Sequence, residues 1–265
     1  MPNTLIIIFL FLLGSIIGSF LNVVIFRLPK RRKFFNFTQR SRCPHCKKVL
    51  QPLDLIPIAS YLALGGRCRY CHKPISSQYI IVEVLTGLLF LLSYWQFGLS
   101  WQTLIGVVGG GSLLVLAFID GRHKVVPDVV SLPTIGALLV LQAARVFWGG
   151  LTPQALQDFF LILLATGLGA GWFFLQWLVS KGRWVGSGDI RLGALLGAYL
   201  GLPVVILALF GAYISGSIWA AYLLVRGRVR LKSQLPFGIF LGAAGIISFI
   251  FGPSVISWYQ QFIGL

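Results

Sequence analysis

The sequence predicts an all-α fold: a polytopic membrane helix bundle of about eight transmembrane helices, with one polar insert on the cytoplasmic side. Three observations predict it. Of 265 residues, 57% are hydrophobic and only 11% charged, where soluble proteins average about 25% charged. Several nearly uncharged stretches reach the roughly 20 residues that a helix needs to cross the hydrocarbon core. The basic residues fall mostly between those stretches, 22 Lys+Arg against 6 Asp+Glu for a net charge of +16. In a soluble protein that excess would suggest nucleic acid. No soluble basic fold is present, and cytoplasmic loops facing anionic lipid explain it. The partner is therefore membrane lipid, with no nucleic acid.

Hydropathy places spans at 4 to 26, 79 to 97, 102 to 120, 128 to 148, 156 to 179, 188 to 200, 203 to 225 and 236 to 252. The first lacks the basic n-region and small-residue cleavage site of a secretory signal, so it reads as a retained span. The sixth is short, and only Gly201, Leu202 and Pro203 separate it from the seventh; an alternative count fuses the two into one bent span. The segment Arg27 to Lys73 holds 12 of the 22 basic residues, which puts it in the cytoplasm and the N-terminus outside. With eight spans, Arg122 and Lys124, Lys181 and Arg183, and Arg226, Arg228, Arg230 and Lys232 all fall in cytoplasmic loops. Only Arg145 falls outside. Two parts result: residues 1–100, a two-span region with the insert 27–78, and residues 102–265, a six-span bundle. No repeat of 20 to 50 residues stands out.

The six acids can be weighed singly. Asp54, in the insert, reads as a solvated carboxylate. Asp158 reads as a first-turn acid that suits the positive end of a helix dipole. Asp120 closes the apolar run GSLLVLAFID and Asp189 opens DIRLGALLGAYL, so both sit at a membrane boundary, where acids face a protein interior or a wet cavity. The alternation of spans sets both at the cytoplasmic end. Two adjacent carboxylates share a proton near neutral pH, as an aspartyl peptidase needs: the ionised member takes a proton from the attacking water, and the protonated one polarises the scissile carbonyl. The structural alternative is a capping Asp189 and an interfacial Asp120. Asp128, the rival for the second place, follows Pro127 and reads as an N-cap.

Cys43, Cys46, Cys68 and Cys71 form C-x2-C, 21 residues, C-x2-C. That spacing points to a structural zinc site, since four thiolates close a tetrahedron and can fold a segment too polar for its own core. The competing reading takes Cys43-Pro44-His45-Cys46 as a thiol redox pair, which requires a βαβ context absent here. His45 and His72 are alternative ligands or solvated neighbours.

Gly186, Ser187, Gly188 and Asp189 are similar to the GxGD motif of intramembrane aspartyl peptidases, in which glycines permit close backbone approach and positive φ. Asp120 to Asp128 (DGRHKVVPD) resembles the other half of that site in the prepilin leader peptidase family. Gly18 to Pro29, the paired CxxC insert, Leu55 to Cys71, Ser76 to Phe90, and Pro236-Phe237-Gly238 resemble further elements of that family, in its order. Ser187, Val126 and Ile239 depart from the family pattern without removing a group the chemistry needs. The resemblance implies Asp120 and Asp189 as the catalytic pair and cleavage of the short basic leader of type IV prepilins or pseudopilins at the bacterial inner membrane. It also implies N-methylation of the new N-terminus with S-adenosylmethionine as donor, by the N-terminal part. No methyl-donor site follows from the residues: GVVGGGS at Gly106 to Ser112 lies in a span and reads as close helix packing. Glu83, in the second span, needs a partner; Arg27 is a candidate, and both are candidates for the methyl-transfer or leader site. Rival classes are a proton-coupled carrier, disfavoured because no chain of polar groups crosses the bilayer, and a membrane scaffold that binds partners through the insert.

Overall fold

A computed structural model describes residues 4–30, 40–230, 233 and 235–263 of the chain. Arg31, Arg32, Lys33 and Lys232, which enter the orientation argument, lie outside the described residues. The chain forms two compact units, Met1–Trp95 and Gln96–Leu265.

In the first unit α1 (Thr4–Arg27) leads into the insert, which holds the short α2 (Ala59–Ala63), and α3 (Gln78–Phe97) follows. α1 and α3 pack antiparallel through small residues. A Cβ on Gly14 would lie 2.8 Å from the Thr86 carbonyl oxygen, and one on Gly18 would lie 2.9 Å from the Glu83 Cα. This is the close approach that a small-xxx-small pattern permits in lipid. Further along, the Asn22 side chain donates to the Tyr79 carbonyl at 3.0 Å and Phe26 stacks on Tyr79 at 4.7 Å.

The second unit is a bundle of six: α4 (Trp101–His123), α5 (Asp128–Phe147), α6 (Pro153–Ser180), α7 (Ser187–Leu200), α8 (Val204–Val225) and α9 (Gly238–Phe262). Among the described residues seven helices, counting α1 and α3, are long and apolar enough to cross a membrane. α7 is not one of them; it is the short sixth element that the sequence already set apart. Its 14 residues reach only about 21 Å, against roughly 30 Å of hydrocarbon. It is apolar on every side because it is buried on every side: Leu192, Leu195, Leu196 and Ala198 are fully enclosed.

Helix direction follows from which residues meet. Gly193 and Gly197 of α7 press on Gly169 and Ala165 of α6, so those two run antiparallel. Leu196 meets Gly245, and Tyr199 stacks on Phe249 at 4.6 Å, so α7 and α9 run parallel. Gly211 with Ala244, and Gly252 with Val204, make α8 antiparallel to α9, hence to α7. The fused, bent span is thus excluded: the chain reverses at Gly201, whose φ of 67° and ψ of −178° only glycine adopts readily. Gly242 against Ala117, and Gly238 against Asp120, set α9 antiparallel to α4. The ends of α4, α6 and α8 therefore gather with the starts of α7 and α9 at one end of the bundle.

Several expected boundaries move. α4 runs three residues past Asp120, to His123; α9 continues through Pro253 to Phe262, ten residues beyond the expected end, since a proline is tolerated inside a membrane helix. α6 begins at Pro153, capped by the Thr152 hydroxyl, which leaves Asp158 in the second turn rather than the first. Gly106 to Ser112 do serve packing, with Gly109 under the Tyr199 ring and Tyr199 donating to the Gly106 carbonyl at 3.3 Å.

Candidate active site

Asp120 lies one turn before the left-handed Lys124 that ends α4, and it is 7% exposed. Its Oδ2 accepts the Gly238 N–H at 2.8 Å. That donor is the first residue of α9, so the carboxylate meets the positive end of a 25-residue helix. A Cβ on Gly238 would itself lie 2.8 Å from Oδ2, so only glycine lets the two come together. The sequence pointed to Pro236-Phe237-Gly238 but not to this use, because the partners are 118 residues apart.

Asp189 sits in the first turn of α7, half-buried, and its Oδ2 accepts the Gly186 N–H at 3.0 Å. This is half of a capping box, as glycine has no side chain to complete it. Neither motif glycine adopts positive φ, contrary to expectation: Gly186 has φ −78°. Gly188 is needed for close approach, since a Cβ there would lie 2.8 Å from Val126 Cγ2 on the loop that follows α4. That contact brings the start of α7 beside the end of α4, near enough for the charge of Asp120 to act on Asp189.

Asp128 is exposed and is the first helical residue of α5, with Pro127 in the capping position; it pairs with Arg191, which also donates to the Val126 carbonyl at 3.5 Å. It therefore braces α7 and is not the expected N-cap.

In the first unit the four cysteine sulfurs all lie within 4.8 Å of one another, with Cys43 and Cys71 3.9 Å apart, and no disulfide joins them. A sulfur tetrahedron around zinc, at about 2.3 Å per bond, has edges of about 3.8 Å. The residues present thus fit a four-thiolate ion. His45 and His72 stand outside the cluster. The Lys73 N–H lowers the Cys71 thiol, but desolvation and the hydrogen bonds of Cys68, Cys46 and Cys43 outweigh it and push it up to about 11. Thiols packed this closely keep their protons unless a cation shares the charge.

Two copies of one seven-residue turn, 25 residues apart, build the cluster. Arg42-Cys43-Pro44-His45-Cys46-Lys47-Lys48 matches Arg67-Cys68-Arg69-Tyr70-Cys71-His72-Lys73. Cys43 N–H donates to the Lys48 carbonyl at 3.0 Å, and Cys68 N–H to that of Lys73 at 2.9 Å. Lys47 and His72 are both left-handed, at φ 60° and 55°. Four shared identities in seven residues were the available signal.

Asp54 is not solvated: its side chain is 3% exposed, accepts from Arg69 Nε at 2.7 Å and takes the Gln51 N–H at 3.0 Å. Glu83, 6% exposed, accepts the Ile58 N–H at 2.8 Å and is bonded by the Ser19 side chain. Arg27 does not fit as its partner. Gly18 lies level with Glu83, and Arg27 is nine residues farther along α1, about 13 Å. Ile58 is a further residue the sequence did not mark: a β-branched side chain at φ 61°, ψ −55°, a conformation that persists only where surroundings enforce it.

Fold and site together define a polytopic membrane protein with two carboxylates, Asp120 and Asp189, at one end of its bundle and a cysteine cluster in its first unit. Residues 12–97 match the family described as the bacterial peptidase A24 N-terminal domain, and residues 107–221 match the type IV leader peptidase family. Proteins named prepilin leader peptidase/N-methyltransferase are similar over nearly the whole chain. That of Pseudomonas aeruginosa is 32% identical, covering 96% of this chain and 93% of that protein. That of Aeromonas hydrophila is 36% identical, covering 94% and 92%, and that of Bacillus subtilis 30% identical, covering 94% and 96%. No solved structure matches the chain. The chain belongs to the type IV leader peptidase family.

Proposed function

We propose that this chain removes the short basic leader of type IV prepilins or pseudopilins, with Asp120 and Asp189 as the catalytic pair, at the cytoplasmic face of the bacterial inner membrane. The observation that carries the reading is that both carboxylates stand at one end of the bundle, each with Oδ2 taken by a backbone N–H. Oδ1 of each is left for chemistry. The ionised carboxylate accepts a proton from water as its oxygen attacks the scissile carbonyl; the protonated one hydrogen-bonds that carbonyl and then protonates the leaving amine. Arg122, Lys124, Lys181, Arg183, Arg226, Arg228 and Arg230 gather at the same end, which favours the cytoplasmic side; the basic insert supports an N-terminus on the outer side.

Methylation of the exposed N-terminus is the second activity, assigned to the first unit. S-adenosylmethionine would supply an electrophilic methyl group; the nucleophile is the α-amine of the cleaved substrate, and the chain must accept the proton that amine loses. Glu83 is suited to accept that proton, being buried and oriented by Ile58. Zinc held by Cys43, Cys46, Cys68 and Cys71 is structural, because four thiolates leave no position for a reacting water. Incubating purified enzyme with a prepilin, with and without methyl donor, and reading intact mass tests both activities. Loss of the leader mass, then a gain of one methyl only with donor, is expected; an uncut substrate would overturn the reading.

A further inference from the structure

At the end of the bundle away from Asp120 and Asp189, the second unit holds an open-mouthed cavity of about 330 Å³. Its origin is the shortness of α7. The 14-residue helix stops at Leu200, while its neighbours run 20 to 28 residues and carry on past it. The space below its last turn is lined by Gln102, Gln142, Arg145, Asp158 and Tyr199, among others.

Gln142, 3% exposed, donates Nε2 to the carbonyls of Ala198 at 3.1 Å and Tyr199 at 3.4 Å, so the end of α7 is capped inside the bundle. Its Oε1 accepts Arg145 Nε at 2.9 Å, which orients the guanidinium and leaves its two terminal nitrogens for another acceptor. Among the described residues Asp158, on α6, accepts a hydrogen bond from Gln154 alone, at 3.2 Å, and no ion pair joins it to Arg145 across the cavity. Opposite charges lining one cavity without touching leave room for a group that carries both signs.

The depth of the cavity points to the source of such a group. Trp101, at the start of α4, and Trp148, just past α5, tilt against each other at 5.4 Å beside this end, and Trp148 is 77% exposed. Exposed tryptophans mark the headgroup level of a bilayer. We propose that the cavity binds the headgroup of a zwitterionic phospholipid with a primary ammonium, its phosphate on Arg145 and its ammonium on Asp158. The guanidinium fork matches phosphate oxygens, and a primary ammonium donates hydrogen bonds to the carboxylate. A trimethylated ammonium cannot, and it would need an open aromatic face. Of the three rings at the cavity, Tyr199 and Phe249 are stacked on one another and Phe97 tilts against Phe249 at 5.0 Å. The cavity also falls in the size range of small-molecule sites.

The test is lipid retention, so it stands apart from the peptidase reading. The full chain is purified, offered equal amounts of phosphatidylethanolamine, phosphatidylcholine and phosphatidylglycerol in mixed micelles, and read by native mass spectrometry. Retention of phosphatidylethanolamine over the other two by about tenfold is expected, the equivalent of one charge-assisted hydrogen bond. Asp158→Asn, which is isosteric, removes that preference while still retaining phospholipid; Arg145→Gln lowers retention of all three. Soluble glycerophosphoethanolamine competes, whereas inorganic phosphate does not. Equal retention of the three lipids by the wild type, an undiminished preference in Asp158→Asn, or displacement by phosphate alone overturns the proposal. Should Arg145→Gln fail to fold, Asp158→Asn and the competition arm decide it.

Discussion

Glu83 in the first unit and Asp120 in the second each accept a backbone N–H at 2.8 Å from a distant part of the chain, Ile58 and Gly238, but the two donors are held by different physics. Gly238 begins a 25-residue helix locked on α4, where Gly242 packs against Ala117 and Leu113, and Gly245 against Leu113. Ile58 belongs to the polar insert and has a left-handed backbone that costs about 1–3 kcal/mol. Little apolar core supports it, since among the described residues of the insert between α1 and α3 the buried side chains are Cys43 and Cys68. Asp120 thus depends on close helix packing, and Glu83 on a loop built around the cysteine cluster. Perturbing one support should leave the other site standing.

The largest effect should come from the pair itself. Asp120→Asn and Asp189→Asn should each slow leader cleavage by about a thousandfold, within the range of lost acid–base catalysis, with membrane insertion unchanged and a pre-cleaved peptide still methylated. Cleavage near the wild-type rate in either variant at normal expression would break the assignment.

Zinc comes next. One ion per chain is expected by metal analysis, and Cys43→Ser or strong chelation should abolish methyl transfer while cleavage persists, because an opened site no longer folds the insert that holds Ile58. Equal loss of both activities would erase the contrast between the units. Absence of zinc, with Cys43 and Cys46 cycling between thiol and disulfide, would favour the redox alternative.

Glu83→Gln sharpens the same contrast without touching the metal. Methyl transfer should fall by about a hundredfold with cleavage intact in the same preparation. Parallel decline of both activities and of yield would reduce Glu83 to a structural tie between α1, α3 and the insert.

In the second unit, Gly238→Ala places a Cβ 2.8 Å from Asp120 Oδ2. Displacing that carboxylate by a few tenths of an ångström should lower kcat about tenfold, a fraction of what a 1 Å misplacement can cost, with methylation untouched. The smallest effect should be that of Asp128→Asn. Its ion pair with Arg191 is exposed and contributes about 0–1 kcal/mol, so cleavage should stay within about fivefold of wild type, less at high salt.

What the sequence by itself determined was local. Runs of about 20 apolar residues mark a span whatever their surroundings, and two C-x2-C pairs mark a four-thiolate cluster because ligand spacing is a property of the turn. Asp120 and Asp189 stood out for a related reason, since an acid ending an apolar run is conspicuous in one dimension. Only the tertiary structure decided which groups meet. DIRLGALLGAYL is apolar on all sides, so no periodicity announces that α7 is a short helix enclosed by α4, α5, α6 and α9. Glu83 answers to Ile58 and not Arg27, Asp54 to Arg69, and Asp120 to Gly238, because helix rotation and axial offset, which hydropathy does not encode, select among many chemically suitable partners. Arg145 and Asp158, unremarkable as a stray cation and a helix acid, share a cavity only because α7 stops short of its neighbours.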